Sequence, residues 1–167
     1  MGNQNTMKSP HYFLIAFLFL SFDAQAQFGA VKNALNQKPQ QDQYLAFLTA
    51  KDYSPEVDKD GDVKFTYEGK TYYLTIDQKD SNFFRMARIA NLKLSSEANI
   101  NQAKQICHDI TKVAKMTKVY WSNGQIWASS EQMVASPGDF EGIFDRTLEL
   151  TQKAYQSFVK SWKNRDQ

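Results

Sequence analysis

Five aspartates form the one concentration of side chains in this sequence that could share a metal ion or a proton. Three of them belong to the segment 58–62, which at first sight has the Asp and Gly spacing of a calcium-binding loop. If Gly61 takes the sixth position of such a loop, the twelfth position falls on Tyr67, where calcium loops require a bidentate Glu. Asp and Gly are also residues that ordinary β-turns prefer. We therefore predict acidic turns and no metal site at these positions, which are Asp58, Asp60, Asp62, Asp77 and Asp80.

One cysteine and a neighbouring histidine are the candidates for nucleophilic catalysis. Apolar residues around Cys107 recur at alternating spacings of three and four, which places the thiol on the buried stripe of a predicted helix. A thiol in that position is far more often a structural core group than a nucleophile. His108 follows directly, but consecutive helical side chains point about 100° apart and do not face each other. We predict no catalytic residue here.

Recognisable catalytic motifs are absent from the chain, which contains no G-x-S-x-G, H-E-x-x-H, Walker or C-x-x-C sequence. The prediction is therefore a protein that is not an enzyme and that holds no cofactor. The alternative is a small hydrolase or a metal-dependent enzyme whose carboxylates converge from distant positions, because such convergence leaves no local motif.

A meander of alternating residues occupies the centre of the chain. Apolar residues at positions 63, 65 and 67 alternate with polar ones, and the same period of two continues at 72, 74 and 76. Glu68-Gly69 predicts a two-residue hairpin loop between these two strands. Residues 83–94 predict the next strand, which carries apolar residues on both faces and is therefore central in its sheet. Val57 is a candidate for a short strand before the meander.

Asn123-Gly124 predicts a second hairpin over residues 118–130, closed by a type I′ turn. That register pairs Tyr120 with Trp127 on one face and places the neighbouring apolar pairs on the other. Tyr73 likewise falls on the face opposite the apolar positions of its own strand. These three aromatic side chains therefore share the side that the best apolar registers leave free.

Three amphipathic helices complete the predicted fold. Asp42 is the expected N-cap of the first helix, Ser95 or Ser96 that of the second, and Ser136 with Pro137 starts the third. The predicted fold class is α+β, a two-layer domain in which a five-stranded antiparallel sheet (a meander plus a hairpin) packs with three helices in the order α-β-β-β-α-β-β-α. The 42% hydrophobic and 14% aromatic residues are sufficient to build the core of such a domain.

The N-terminal segment has the pattern of a secretory signal peptide. Lys8 precedes an apolar run of about ten residues, and residues 24–26, Ala-Gln-Ala, provide an A-x-A cleavage site. The run is too short for a helix that spans a membrane, which takes roughly 20 residues. We predict a protein that is periplasmic or secreted and has no membrane span once the signal is cleaved after Ala26. The sequence leaves open whether translation starts at Met1 or Met7.

The predicted domains are a signal peptide over residues 1–26, a polar leader and linker over 27–41, and a single α+β domain over 42–167. The 20 basic and 18 acidic residues give a formal net charge of +2, which provides no electrostatic footprint for nucleic acid. We therefore predict no nucleic-acid partner. A cysteine-poor exported protein of this size is more typical of the bacterial envelope than of disulfide-stapled secreted domains.

The order of elements and two segments resemble the YbjN-like and type III secretion chaperone-like domains. The segments are D-x-D-G-D-V-x-F-x-Y-E-G-x-x-Y-Y-L-x-I-D at residues 58–77 and N-F-F-R at residues 82–85. The resemblance extends over about residues 42–163, nearly all of the predicted mature chain. It implies a small bacterial regulator or a chaperone that binds extended segments of partner proteins, often as a dimer. It carries over no catalytic residue, and delivery to a type III apparatus does not fit an exported chain, because secretion chaperones are cytosolic.

The sequence therefore predicts an envelope protein without enzyme activity that binds a protein or peptide through one sheet face, with a homodimer as one possible form. Amphipathic aromatic side chains flanked by cations are common at interfaces. The alternative is that these aromatics pack beneath the last helix or the leader, because the sequence does not decide which face the helices cover. The residues predicted for partner binding are Tyr73, Tyr120, Trp127, Arg85 and Lys64, with Lys118 interleaved among them.

Overall fold

The computed structural model describes residues 38–165 of the chain. The predicted signal peptide, the leader up to residue 37 and the last two residues lie outside the described part. The helices are α1 (38–50), α2 (Glu97–Val113) and α3 (Phe140–Lys163). The strands are β1 (Glu56–Val57), β2 (Val63–Tyr67), β3 (Lys70–Thr75), β4 (Phe83–Asn91), β5 (Thr117–Ser122) and β6 (Gln125–Met133).

The strands form one antiparallel sheet with the spatial order β1-β2-β3-β4-β6-β5, and the fold is α+β as predicted. Strand β4 lies inside the sheet between β3 and β6, which agrees with the apolar residues on both of its faces. The predicted count of five strands is one too few, because the candidate short strand at Val57 does form, as Glu56–Val57, and pairs with the start of β2. A strand of two residues is too short to show a period of two in the sequence.

Both predicted hairpins have the strand registers derived from the sequence. Their two-residue loops have positive φ angles, 49° at Glu68 and 66° at Gly69 in the first loop and 48° at Asn123 and 78° at Gly124 in the second. Positive φ at both central residues is the type I′ geometry, whose twist matches that of the flanking strands. Gly and Asn adopt this region readily, whereas a Glu residue there is strained.

Helix α1 already includes residues 38–41, which the sequence predicted as linker. Asp42 lies inside the helix and forms an ion pair with Lys38 at 3.1 Å, so its predicted role as N-cap is wrong. The side-chain amide of the buried residue Gln40 donates a hydrogen bond to the Tyr44 hydroxyl at 2.9 Å. This turn therefore packs against the domain, and tertiary packing overrides its polar composition.

The start of α2 is as predicted, whereas α3 begins only at Phe140, three residues after the predicted first position Pro137. The Ser96 side chain caps α2 by accepting a hydrogen bond from the Asn99 amide at 3.2 Å. Before α3, the Ser136 amide donates to the Asp139 carboxylate at 2.8 Å, and a single 3-10 turn, Pro137–Asp139, leads into the helix. No helix among residues 38–165 is long and apolar enough to cross a membrane.

All three helices pack on the same face of the sheet, in two clusters of buried side chains. In the first cluster α1 and α3 cover β2, β3 and the start of β4. In the second cluster α2 and the C-terminal half of α3 cover the β5–β6 hairpin. Each large apolar side chain that is fully buried contributes about 1.5–3 kcal/mol. The largest of them are Tyr44, Phe65, Tyr72, Phe84, Phe140 and Phe144.

Hydroxyl groups connect α3 to the hairpin in the middle of this packed layer. Thr151 Oγ1 lies 2.8 Å from both the Thr147 carbonyl oxygen and Ser130 Oγ. Ser130 Oγ in turn lies 2.7 Å from Thr117 Oγ1 on β5. Because all four residues are buried, these contacts satisfy polar groups that water cannot reach.

Candidate partner-binding face

The sheet has one face that no helix of residues 38–165 covers, and we call it the open face. Its central row is set by cross-strand pairing, which runs from Lys64 to Tyr73, Ala87, Ser129 and Lys118 in five adjacent strands. These residues alternate with those that point into the two apolar clusters. The row therefore lies on the side of the sheet opposite the helices of residues 38–165, and within it Ala87 and Ser129 are fully buried.

The next rows bring the remaining predicted residues to the same face. Ile89 pairs with Trp127, which pairs with Tyr120. On the other side of the central row, Arg85 pairs with Glu131. The structure thus places together the residues that the sequence singled out, although they lie on five different strands. Their role in binding a partner stays a prediction.

Tyr120 and Trp127 form a stacked pair on the open face, with ring centroids 5.8 Å apart and an interplanar angle of 15°. The exposed fraction of the Tyr120 side chain is 36%, whereas Trp127 is half-buried. Partial burial raises the pKa of the Tyr120 phenol above its ordinary value. A large aromatic side chain that is both rigidly stacked and exposed is the usual form of an interface anchor.

Two carboxylates, neither of which the sequence pattern assigned to this face, pair with its cations. Glu131 accepts from Lys118 and lies 3.2 Å from Arg85 Nε, and Glu56 lies 2.7 Å from Lys64 Nζ. Burial alone would raise the pKa of Glu131, but the Lys118 hydrogen bond and the Arg85 charge outweigh it and hold that pKa below the ordinary 4.5. The cations are thus held in place across the strands. Only their positions opposite the cations on neighbouring strands could have identified these carboxylates. Those positions cannot be derived from the sequence until the strand order is known.

A shallow groove crosses the open face, with a floor of Tyr73, Ile89 and Trp127. The acidic turn at residues 58–62 and the Lys64 side chain form its rim. Aromatic and aliphatic side chains at the floor with charges at the rim correspond to the general arrangement of a protein interface.

The aspartates of the two polar turns are engaged by backbone amides. Asp58 Oδ1 accepts from the amides of Asp60 at 2.9 Å and Asp62 at 3.1 Å, and Asp62 Oδ1 accepts from the Ile76 amide at 2.9 Å. Asp77 and Asp80 accept in the same way, from the amides two residues further on. Within the described residues, no group of three or more acidic, His or Cys side chains could hold a metal ion.

Cys107 and His108 do not meet. Cys107 lies in the second apolar cluster with 3% of its surface exposed, and burial raises the pKa of its thiol to about 11. His108 is exposed on the outer side of α2. A thiol that is buried and protonated is a poor nucleophile, so the arrangement offers no Cys–His chemistry.

Each edge of the sheet is partly covered by another part of the chain. At the β5 edge the Thr111 side chain of α2 bonds the amide and the carbonyl of Val119 at 2.8 and 2.9 Å. At the opposite edge the short strand β1 covers the start of β2, and the Thr66 amide donates to the Tyr53 carbonyl at 3.0 Å. Capped edges resist the addition of a further strand. The open face, rather than an edge, is therefore the surface available for contact.

Comparison with known proteins identifies the fold. No protein-family model matches the chain, and no curated protein matches its sequence. The crystal structure of YbjN from E. coli, which is described as a candidate transcription regulator, superposes with a TM-score of 0.56. The match covers 74% of this chain and 92% of that chain at 9% sequence identity. The chain therefore has a YbjN-like α+β fold.

Proposed function

We propose that the protein is a non-enzymatic, protein-binding module of the bacterial envelope that engages its partner through the open face. One observation carries the proposal, which is that the three helices of residues 38–165 lie on one side of the sheet and leave a half-exposed aromatic surface on the other. That surface contains Tyr73, Tyr120 and Trp127, with Lys64, Arg85 and Lys118 between them.

A chaperone-like or regulatory role fits this surface better than catalysis does. The carboxylates of residues 58–62 accept hydrogen bonds from turn amides, and the Cys107 thiol is buried. A YbjN-like fold is compatible with a protein-binding module, and we infer that the chain acts in this way. The predicted signal peptide supports a periplasmic or secreted location.

The first partner that we propose is a second copy of the same chain. Because the two sheet edges are partly covered, we propose that a symmetric pair joins face to face rather than strand to strand. In such an isologous contact each Tyr120 meets the open face of the other copy. The Arg85–Glu131–Lys118 group carries both signs of charge and can complement itself across a two-fold axis.

Light scattering of the purified protein over a range of concentrations tests this arrangement. We expect a dimer for the native sequence and dissociation for Tyr120→Ser, which removes the exposed ring. Val113→Ser is a matched control, because Val113 is 78% exposed and lies on α2, away from the open face. A native protein that remains monomeric, or a Tyr120→Ser variant that remains dimeric, would contradict the proposed self-association.

A photoreactive amino acid placed at position 120 tests the broader proposal of a protein-binding face. We expect it to form covalent adducts with a second copy or with another envelope protein, and the same group at position 113 should form none. If neither position gives adducts in intact cells, the open face does not bind a protein. Fractionation and N-terminal sequencing of the same material test the location, with Gln27 expected as the first residue.

A further inference from the structure

A second concave surface lies on the helical side of the sheet, away from the open face. It runs between the start of β3, the middle of β4 and the last turns of α3. Four cations line it, contributed by three different elements of the fold. The lining side chains are Lys70, Arg88, Tyr155, Gln156, Val159, Lys160, Lys163 and Asn164, and we call this surface the basic groove.

The cations of the basic groove are not paired with acidic side chains of the described residues, although Glu68 lies nearby and bonds Gln152 at 2.6 Å. No carboxylate lines it, and Lys70, Arg88, Lys160 and Lys163 form no ion pair with any described residue. The open-face cations, by contrast, each contact a carboxylate. Four unpaired cations around one concave surface create a local positive field that attracts anions.

Part of this charge has an ordinary structural explanation. Lys160 and Lys163 lie in the last turn of α3, where cations complement the negative end of the helix dipole. That explanation does not apply to Lys70 or Arg88, because both come from strands. Their convergence on the end of α3 results from the tertiary packing alone.

Arg88 is held in position for binding. Its guanidinium carbon lies 3.7 Å from the centroid of the Tyr155 ring and 5.7 Å from that of Tyr72. A guanidinium stacked on an aromatic ring keeps the N–H donors at its rim available to an acceptor in its plane. Because these contacts already restrict the side chain, less conformational entropy is lost when a ligand binds.

We propose that the basic groove binds a phosphate-bearing anion. The planar donor fork of Arg88 matches two oxygens of a phosphate, and the lysines supply point charges around it. A phosphate monoester carries about −1.5 to −2 charges at neutral pH, whereas a carboxylate carries only one. Four cations without an acid among them therefore fit phosphate better. The group can belong to a free polyphosphate-type molecule or to the headgroup of a lipid.

Titration calorimetry with tripolyphosphate at constant ionic strength tests the proposal. We expect saturable binding to the native protein, weakened about tenfold or more in the double variant Lys70→Gln/Lys160→Gln. Lys112→Gln/Lys115→Gln is the matched control, since it removes two exposed lysines, one in the last turn of α2 and one just after its C-cap, that form no ion pair with a described residue. Arg88→Lys should weaken binding while it conserves the charge. The proposal is wrong if the native protein shows saturable binding neither to tripolyphosphate nor to vesicles that contain phosphatidic acid. It is also wrong if the control variant loses as much affinity as the Lys70→Gln/Lys160→Gln variant does.

Vesicles distinguish the two sources of the phosphate. Phosphatidylcholine vesicles with and without phosphatidic acid are tested for co-sedimentation with the native protein and with both double variants. Binding that requires phosphatidic acid and Lys70 or Lys160, and that tripolyphosphate displaces, assigns the groove to a lipid headgroup. Binding of tripolyphosphate without vesicle binding assigns it to a free phosphate compound. Because the groove and the open face lie on opposite sides of the sheet, loss of one binding function leaves the other measurable.

Discussion

The Thr111 hydroxyl closes the β5 edge of the sheet by bonding both outward backbone groups of Val119. It accepts from the Val119 amide at 2.8 Å and donates to the Val119 carbonyl at 2.9 Å. One side chain from α2 thus occupies the donor and the acceptor that an added strand would use first. The contact both stabilises the native fold and prevents edge pairing.

Thr111→Val is therefore expected to lower the free energy of unfolding by about 1–3 kcal/mol. The substitution leaves the backbone amide and carbonyl of the buried residue Val119 without the Thr111 hydroxyl as their partner. It should also increase self-association through the newly free edge. Urea denaturation measures the first effect and light scattering measures the second. Thr111→Ser retains the hydroxyl and should behave like the native protein. Equal stability of the Val variant and the native protein would show that the contact contributes nothing.

Glu131→Gln removes the carboxylate that lies between Arg85 and Lys118. We expect the free energy of unfolding to fall by about 1 kcal/mol at neutral pH, as is typical of a partly exposed ion pair. The folded protein holds the pKa of Glu131 below the ordinary 4.5, so the charge stabilises the fold above that value. This contribution is lost as the pH falls through the folded pKa.

The difference in free energy of unfolding between the native protein and Glu131→Gln should therefore shrink in acid. Denaturation curves at neutral and acidic pH measure this difference. Glu149→Gln serves as a comparison, since Glu149 pairs with Arg146 and Lys153 on the exposed side of α3. A difference for Glu131→Gln that stays constant with pH would contradict the assigned ion pair.

Thr151→Val tests the buried hydroxyl contacts between α3 and the hairpin. The substitution conserves the shape of the side chain but leaves Ser130 Oγ with one partner fewer. We expect the free energy of unfolding to fall by about 1–3 kcal/mol, as measured by urea denaturation. Thr151→Ser keeps the hydroxyl and should lose less. A Val variant as stable as the native protein would show that these contacts have no net stabilising effect.

Cys107 should be unreactive in the native state. Burial raises its pKa from 9.0 to about 11, so almost no thiolate is present at mildly alkaline pH. Mass spectrometry should detect alkylation by iodoacetamide in urea but not in buffer. Rapid alkylation of the folded protein would show that the thiol is accessible.

The same pKa shift makes stability depend on alkaline pH. Between pH 9 and about 11 the unfolded chain releases the thiol proton while the folded chain retains it, so the free energy of unfolding falls as the pH rises. Tyr44, whose pKa burial raises to about 12, contributes a loss of the same sign at higher pH. Between pH 9 and about 11, the free energy of unfolding of Cys107→Ala should fall less steeply than that of the native protein.

The sequence by itself determined the two hairpin registers and the division of residues between the sheet faces. It also determined that α2 begins after a serine cap and that Cys107 is buried. These features depend on turn chemistry and on periods of two or 3.6 residues, which are local properties of a contiguous segment. For the same reason the alternation of Tyr73, Tyr120 and Trp127 with apolar residues was sufficient to place them on one face.

Only the tertiary structure decided how the segments combine. The pairing of β4 with β6 brings Arg85 to Glu131, and the packing of α2 on the hairpin brings Thr111 to Val119. The convergence of Arg88 with the end of α3 likewise has no local pattern. Such contacts join residues far apart in the chain, and their geometry depends on strand order and helix placement, which only the packing of the whole domain fixes.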